Sequence, residues 1–165
     1  MLSTFELKYN KSVTFFVLLL FTIYIGSVGL LCFYPFTADL NRQTNNWETF
    51  RLIGKAPVIT TPFIELNDFS FYLNILMTVP FGMFMITLFK KYTNFFSLAV
   101  ISLAVGSFIE STQFLLDNLN LMTRFVDIND VIANAVGVLL GYFLALGGFR
   151  LLQKVRLLHQ NQVES

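Results

Sequence analysis

The chain has 165 residues, 55% of them hydrophobic and 13% charged, with a formal net charge of +1 and a mean hydropathy of +0.66. That is too apolar for a soluble domain, whose surface must stay polar. The near-neutral balance, without a basic block or basic residues interleaved with aromatics, argues against nucleic acid as a partner.

Taken in chain order, the first apolar run is 12–35, uncharged and long enough to span a bilayer. Lys8 and Lys11 precede it, but a cleavable signal core is shorter, roughly 7 to 15 residues, so the run reads as a retained helix. Cys32, the only cysteine, can make neither an intramolecular disulfide nor a cysteine-based metal cluster and reads as a small hydrophobe. Three further stretches reach the length of about 20 residues that a bilayer demands, at 70–89, 93–116 and 130–149. The predicted fold is therefore all-α, a polytopic membrane protein of four transmembrane helices forming a single domain over 1–165, with one long loop after the first helix.

Within that loop, Asn45 with Glu48 three residues on reads as a helix cap. Trp47, Phe50 and Ile53 recur at helical spacing, and Gly54 and Pro57 end the pattern. A short surface helix and an ordinary loop folded onto the bundle are both consistent with this. Asp68 opens the second span, and Pro80 inside it frees the carbonyl of Leu76, which Thr78 or a neighbouring helix could satisfy. The polar tail from Leu157 to Ser165 is expected to fray.

Lys and Arg placement sets the expected orientation. With both termini in the cytoplasm, Lys8, Lys11, Lys90, Lys91, Arg150, Lys154 and Arg156 lie inside, against Arg42, Arg51, Lys55 and Arg124 outside. The long loop is then extracytoplasmic. So are the outer end of the third helix and the start of the fourth.

Polar residues gather at that end. Gly106, Glu110, Gln113 and Asp117 share one face of the third helix; Asp127, Asp130 and Asn134 share one face leading into the fourth; Asn74, Thr78 and Gly82 repeat at four in the second. At a rise of about 1.5 Å per residue, Glu110 lies roughly 10 Å below Asp117 and Asn134 roughly 6 Å below Asp130, which puts the three stripes at one depth. A charged side chain at a membrane helix centre costs roughly 2.5 to 3.5 kcal/mol on insertion scales, so such groups face a protein interior or a wet cavity. Ala133, Gly137, Gly141 and Ala145 form a small-residue ridge suited to close helix packing.

Two readings of the polar set stay open. Arg124 with the aspartates could be an ion-pair network that only fixes the bundle. Alternatively Glu110, Asp127 and Asp130 are candidate catalytic carboxylates, with Asn74, Gln113, Arg124 and Asn134 as candidate binding residues, because carboxylates outnumber the single arginine. His159, the only histidine, sits in the tail, so a Ser-His-Asp triad or a histidine-rich zinc site is excluded. No cofactor is required; a divalent cation held by Glu110, Asp127 and Asp130, with Arg124 on a phosphate, is compatible with the donor set. Proton-coupled transport ranks last for a single four-helix unit, unless copies associate as a homo-oligomer, which the sequence leaves open.

Three pieces, Asn74-Ile-Leu-Met-Thr-Val-Pro80-Phe81-Gly82, Glu110-Ser-Thr-Gln113 and Arg124-Phe-Val-Asp127-Ile-Asn-Asp130-Val-Ile-Ala-Asn134-Ala-Val-Gly137 with Gly141 following, resemble the VanZ-like family in order and spacing across about 70–145. The family takes its name from a small membrane protein of teicoplanin resistance. The resemblance implies a polytopic helical domain in the bacterial cytoplasmic membrane, with the motif residues as its functional core. Envelope lipids or cell-wall precursors become the expected partners, and glycopeptide sensitivity an expected readout. One piece departs from the family pattern: where relatives carry Asn-Leu-x-Pro-Phe, this chain has Ile59-Thr-Thr-Pro62-Phe63.

Overall fold

The computed structural model describes residues 11–35, 50–64, 66–89 and 94–163. Four helices are long and apolar enough to cross a membrane: α1 (Lys11–Phe33), α2 (Phe69–Leu88), α3 (Phe95–Asn118) and α4 (Ile128–Val163). The chain is a multi-pass helical membrane protein. Predicted and observed bounds of the first three helices agree within two residues, which is the usual uncertainty of helix ends.

α4 is a correction to the sequence reading. Instead of ending near 149 with a frayed tail from Leu157, it continues to Val163. The reason is composition: Arg150 to Gln162 holds no proline or glycine and is rich in Leu, Gln, Lys and Arg, which favour helix whether or not they are apolar. Gly147 and Gly148 weaken the helix without ending it.

The second correction concerns the loop. Phe50–Ile53 is a strand, β1, not a helical turn. It pairs antiparallel with β2 (Ala56–Ile59), and β2 pairs parallel with β3 (Val126–Asp127) in the order β1-β2-β3. Ile53 faces Ala56 across a two-residue turn whose first residue, Gly54, has φ +65. Glycine at the first central position is what a type II′ hairpin turn requires. Asn118, at the end of α3, accepts from the Lys55 amide at 3.0 Å, and a Cβ on Gly54 would collide with its side-chain oxygen. Asn45, Trp47 and Glu48 lie outside the described residues.

Helix entries are capped as the residue types suggest. The Asp68 side chain accepts from Ser70 N at α2, and Asn94 and Ser97 form a reciprocal capping box at α3. α2 and α4 run parallel, with Thr78 donating to the Asn134 carbonyl at 2.9 Å. α3 runs antiparallel to both.

In lipid there is no hydrophobic drive between helices, so association depends on how closely backbones approach. Here they approach as far as glycine allows. A Cβ on Gly82 would overlap the Val138 carbonyl, one on Gly137 the Ile75 carbonyl and Thr78, one on Gly141 the Val79 carbonyl. Gly106 brings α3 against α4, where a Cβ would sit 2.6 Å from the Val131 carbonyl oxygen. Ala133 of the same ridge is fully buried. Away from the sheet, Met85, Ile86, Leu98, Val138 and Tyr142 form a closed apolar core.

α1 is attached differently. Of its residues only Cys32 is buried. It is held by ring contacts of Phe21 with Phe81 and Phe84, and by the Tyr24 hydroxyl, which donates to the Met77 carbonyl at 2.8 Å. That carbonyl is adjacent to the Leu76 carbonyl left without its helical donor by Pro80. Thr78 does not serve Leu76; its hydroxyl lies against the carbonyls of Asn74, Ile75 and Asn134.

Candidate functional site

The sheet packs at one end of the bundle, and beside its third strand lies a cavity of about 770 Å³ with Asp127 in its wall. Its walls come from α1 (Tyr24, Leu31, Cys32), α2 (Leu73, Asn74, Met77), α3 (Ile109, Glu110, Gln113) and the segment entering α4 (Arg124, Asp127, Asp130). Leu31, Leu73 and Leu76 on its rim are exposed at the flank of the bundle. The cavity thus has a polar end beside β3 and an apolar mouth between α1 and α2.

Periodicity places the α3 residues. Gly106, Glu110, Gln113 and Asp117 are all buried on one face, the stripe that their spacing defines. Each has a distinct partner. Glu110 Oε2 accepts from the Asp127 amide at 2.9 Å, tying α3 to the start of α4. Gln113 Nε2 donates to the Cys32 carbonyl at 3.2 Å. Asp117 accepts from the Arg124 amide, with Oδ1 at 3.2 Å, and so closes the turn between α3 and β3.

Arg124 is used otherwise than the ion-pair reading expects. Its Nη1 donates at 3.1 Å to the carbonyls of both Leu31 and Cys32. These belong to the last turn of α1, whose carbonyls have no partner within the helix and carry the negative end of its dipole. Arg124 and Gln113 together cap α1 over the cavity.

Asp127 is the last residue of β3, one position before α4. Its Oδ1 accepts from the Asn129 amide at 2.8 Å, the interaction by which an aspartate caps a helix, and from Asn129 Nδ2 at 2.8 Å. Asp130, in the first turn of α4, is reached by the side chain of Asn74 across from α2. Asn134 follows one turn deeper, 1% exposed, and is not part of the cavity lining.

Among the described residues, four buried side-chain atoms here have no hydrogen-bond partner: Asp127 Oδ2, Asp130 Oδ1 and both amide atoms of Asn134. Native interiors rarely leave such groups unpaired, and each one calls for a physical reason. No three carboxylate, cysteine or histidine side chains among the described residues converge closely enough to hold a metal, so Glu110, Asp127 and Asp130 share a cavity but not a coordination sphere.

Asn129 escaped the sequence reading. It is 1% exposed, and its side chain donates to the Thr61 carbonyl at 3.1 Å and accepts from the Phe63 amide. The Thr61-Pro62-Phe63 turn, with Phe63 at φ 66, is thereby fixed to the same residue that orients Asp127. Its position inside Asp127-Ile-Asn-Asp130 was the available signal, since a buried amide beside two acids has to bond something. A second, smaller cavity on the other side of α3 is also lined by Glu110, together with Ser107, Ser111 and Val131.

A family model described as VanZ/LLP1 matches residues 16–152. No curated protein and no solved structure matches the chain.

Proposed function

The chain belongs to the VanZ/LLP1 family, and from that premise we propose that the cavity beside the sheet binds the polar end of an envelope lipid or lipid-linked cell-wall precursor. The site then opens at the extracytoplasmic face of a bacterial cytoplasmic membrane, with both termini inside, the orientation that the Lys and Arg placement favours. One observation carries the reading: a cavity of about 770 Å³ has buried acids and amides at one end and exposed leucines at its mouth. That is the polarity of a headgroup continuing into acyl chains. Concave sites with a few convergent polar groups in apolar walls are where ligands bind.

Bond partners divide the work among the carboxylates. Glu110 and Asp117 hold backbone amides and serve as positioning residues. Asp127 and Asp130 keep an unpaired oxygen each and are the groups left to meet a ligand. The experiment is lipid and envelope-precursor profiling of a deletion strain beside Glu110→Ala and Asp130→Ala strains. Asp130→Ala at normal membrane level should reproduce the deletion profile, and a wild-type profile with Glu110, Asp127 and Asp130 all replaced would remove the proposal. Teicoplanin sensitivity of the same strains reads whether the bound species belongs to the cell-wall pathway.

A second reading, a non-catalytic envelope protein whose polar cluster locks the bundle, is favoured for Glu110 by its hydrogen bond to Asp127. Under that reading Asp130→Ala, like Glu110→Ala, lowers abundance and leaves the lipid profile of the remaining protein unchanged.

A further inference from the structure

Resting on the lipid-site reading above, we infer the chemistry of the headgroup: a primary ammonium carried by a membrane lipid, seated between Asp127 and Asp130. The first argument is hydrogen-bond accounting. Asp127 lines the cavity, is 2% exposed, and has Oδ1 engaged and Oδ2 without a partner; Asp130 lines the same wall with Oδ1 unpaired. Because both unpaired oxygens are closed off in the wall, the ammonium is seated by a turn of the two side chains toward the cavity. Ionised carboxylates only accept, so what completes them is a donor. A phosphate or carboxylate terminus offers none. A primary ammonium offers three, enough for both oxygens and one more.

The second argument is charge. The cavity is lined by Asp68, Glu110, Asp127 and Asp130 against one cation, Arg124. That cation is already directed at the terminal carbonyls of α1. Asp68 is exposed and caps α2, and Glu110 is engaged by the Asp127 amide, which leaves Asp127 and Asp130 as the acids a guest can compensate. A buried carboxylate without a partner takes up a proton, and a positively charged guest is what keeps this pair ionised. Hydroxyls of a sugar headgroup donate hydrogen bonds but supply no charge.

The third argument is access. Val28, Leu31, Leu73, Leu76 and Met77 continue the cavity to the exposed flank between α1 and α2. An amphiphile can enter there from the membrane with its chains left in lipid. A soluble amine would gain nothing from this wall.

The test uses the full-length chain in detergent micelles, with lipid retention read by native mass spectrometry and stabilisation by thermal unfolding. The probes are a phosphatidylethanolamine, an aminoacylated phosphatidylglycerol, a phosphatidylcholine, a phosphatidylglycerol, a glucosyl diacylglycerol, and phosphoethanolamine without chains. The two ammonium lipids should be retained, and the stronger of them identifies the source of the amine. The choline lipid, charged but without N–H donors, should bind at least tenfold more weakly, and the other three should not be retained.

Asp127→Asn and Asp130→Asn should each weaken ammonium-lipid retention at least tenfold. Leu73→Trp, which fills the mouth at an exposed position, should do the same with unliganded stability unchanged. Retention of the glucosyl lipid or phosphatidylglycerol at equal strength, lost in the same variants, overturns the ammonium inference and leaves the lipid site standing. Equal retention of choline and ethanolamine lipids also overturns it. Retention of all the lipids that is indifferent to Asp130→Asn and Leu73→Trp overturns both the inference and the lipid site.

Discussion

The two halves of this bundle are built from the same helices and opposite materials. Away from the sheet, Ile86, Leu98 and Val138 are at most 1% exposed in an apolar cluster closed by Met85 and Tyr142. Beside the sheet, the same α2, α3 and α4 enclose Glu110, Asp127, Asp130 and Asn134, four of whose atoms lack partners. The difference shows where tolerance for unpaired polar groups comes from. A tightly packed half holds the helices together, so the other half can keep groups a purely structural bundle would have eliminated, as at sites where stability is traded for function.

The largest test of that contrast is Gly141→Leu. Its Cβ would meet the Val79 carbonyl, where neither backbone can yield. A loss beyond ~3 kcal/mol is expected, above ordinary overpacking, seen as the disappearance of monodisperse protein in size-exclusion chromatography. Full recovery of folded protein would mean that the α2–α4 seam does not carry the bundle.

Asn129→Ala comes next, because it removes the side chain that serves Thr61, Phe63 and Asp127 together. Losing these buried bonds should cost about 3 kcal/mol, with faster hydrogen exchange at the Phe63 amide and little change at the far core. Exchange rising equally in both halves would contradict their independence.

Ile86→Ala sharpens the comparison from the other side. Deleting its methyl groups from the closed core should lower stability by about 2 kcal/mol, the low end for such truncations because lipid supplies no transfer term. Lipid retention should not change. The smallest effect on stability is expected from Asp130→Asn, which stays isosteric and discharges a partly satisfied acid. A change within ~1 kcal/mol, accompanied by loss of lipid retention, would place function and stability in different halves. A large fall in thermal midpoint would instead make Asp130 part of the scaffold.

What the sequence discloses follows from the range of the forces involved. Spans are legible because bilayer thickness imposes a length that a run of apolar residues displays directly. The α3 stripe is legible because Gly106, Glu110, Gln113 and Asp117 keep helical spacing, and a buried face is a local property. The hairpin is not. Phe50 and Ile53 fit a helical period as well as a strand; what decides is their pairing with Ile59 and Ala56 across Gly54, and the docking of that hairpin on Val126 and Asp127, far away in sequence. The partners of Arg124 are hidden for a similar reason, since its carbonyl acceptors on α1 lie 92 and 93 residues away. α4 exceeds its predicted end because polarity marks where a helix leaves lipid, not where it stops.

The parallel pairing of Val58 with Val126 and Ile59 with Asp127 carries a consequence for biogenesis. Both segments must stand on one side of the membrane, so α2 and α3 have to cross it as a pair before the third strand can dock. During synthesis the first two strands therefore wait, as an incomplete sheet, until two more spans are inserted and the chain returns. A product stopped before Val126 would hold most of the cavity walls but neither Asp127 nor Asp130, and the polar end of the cavity would be assembled only after α3 has been inserted.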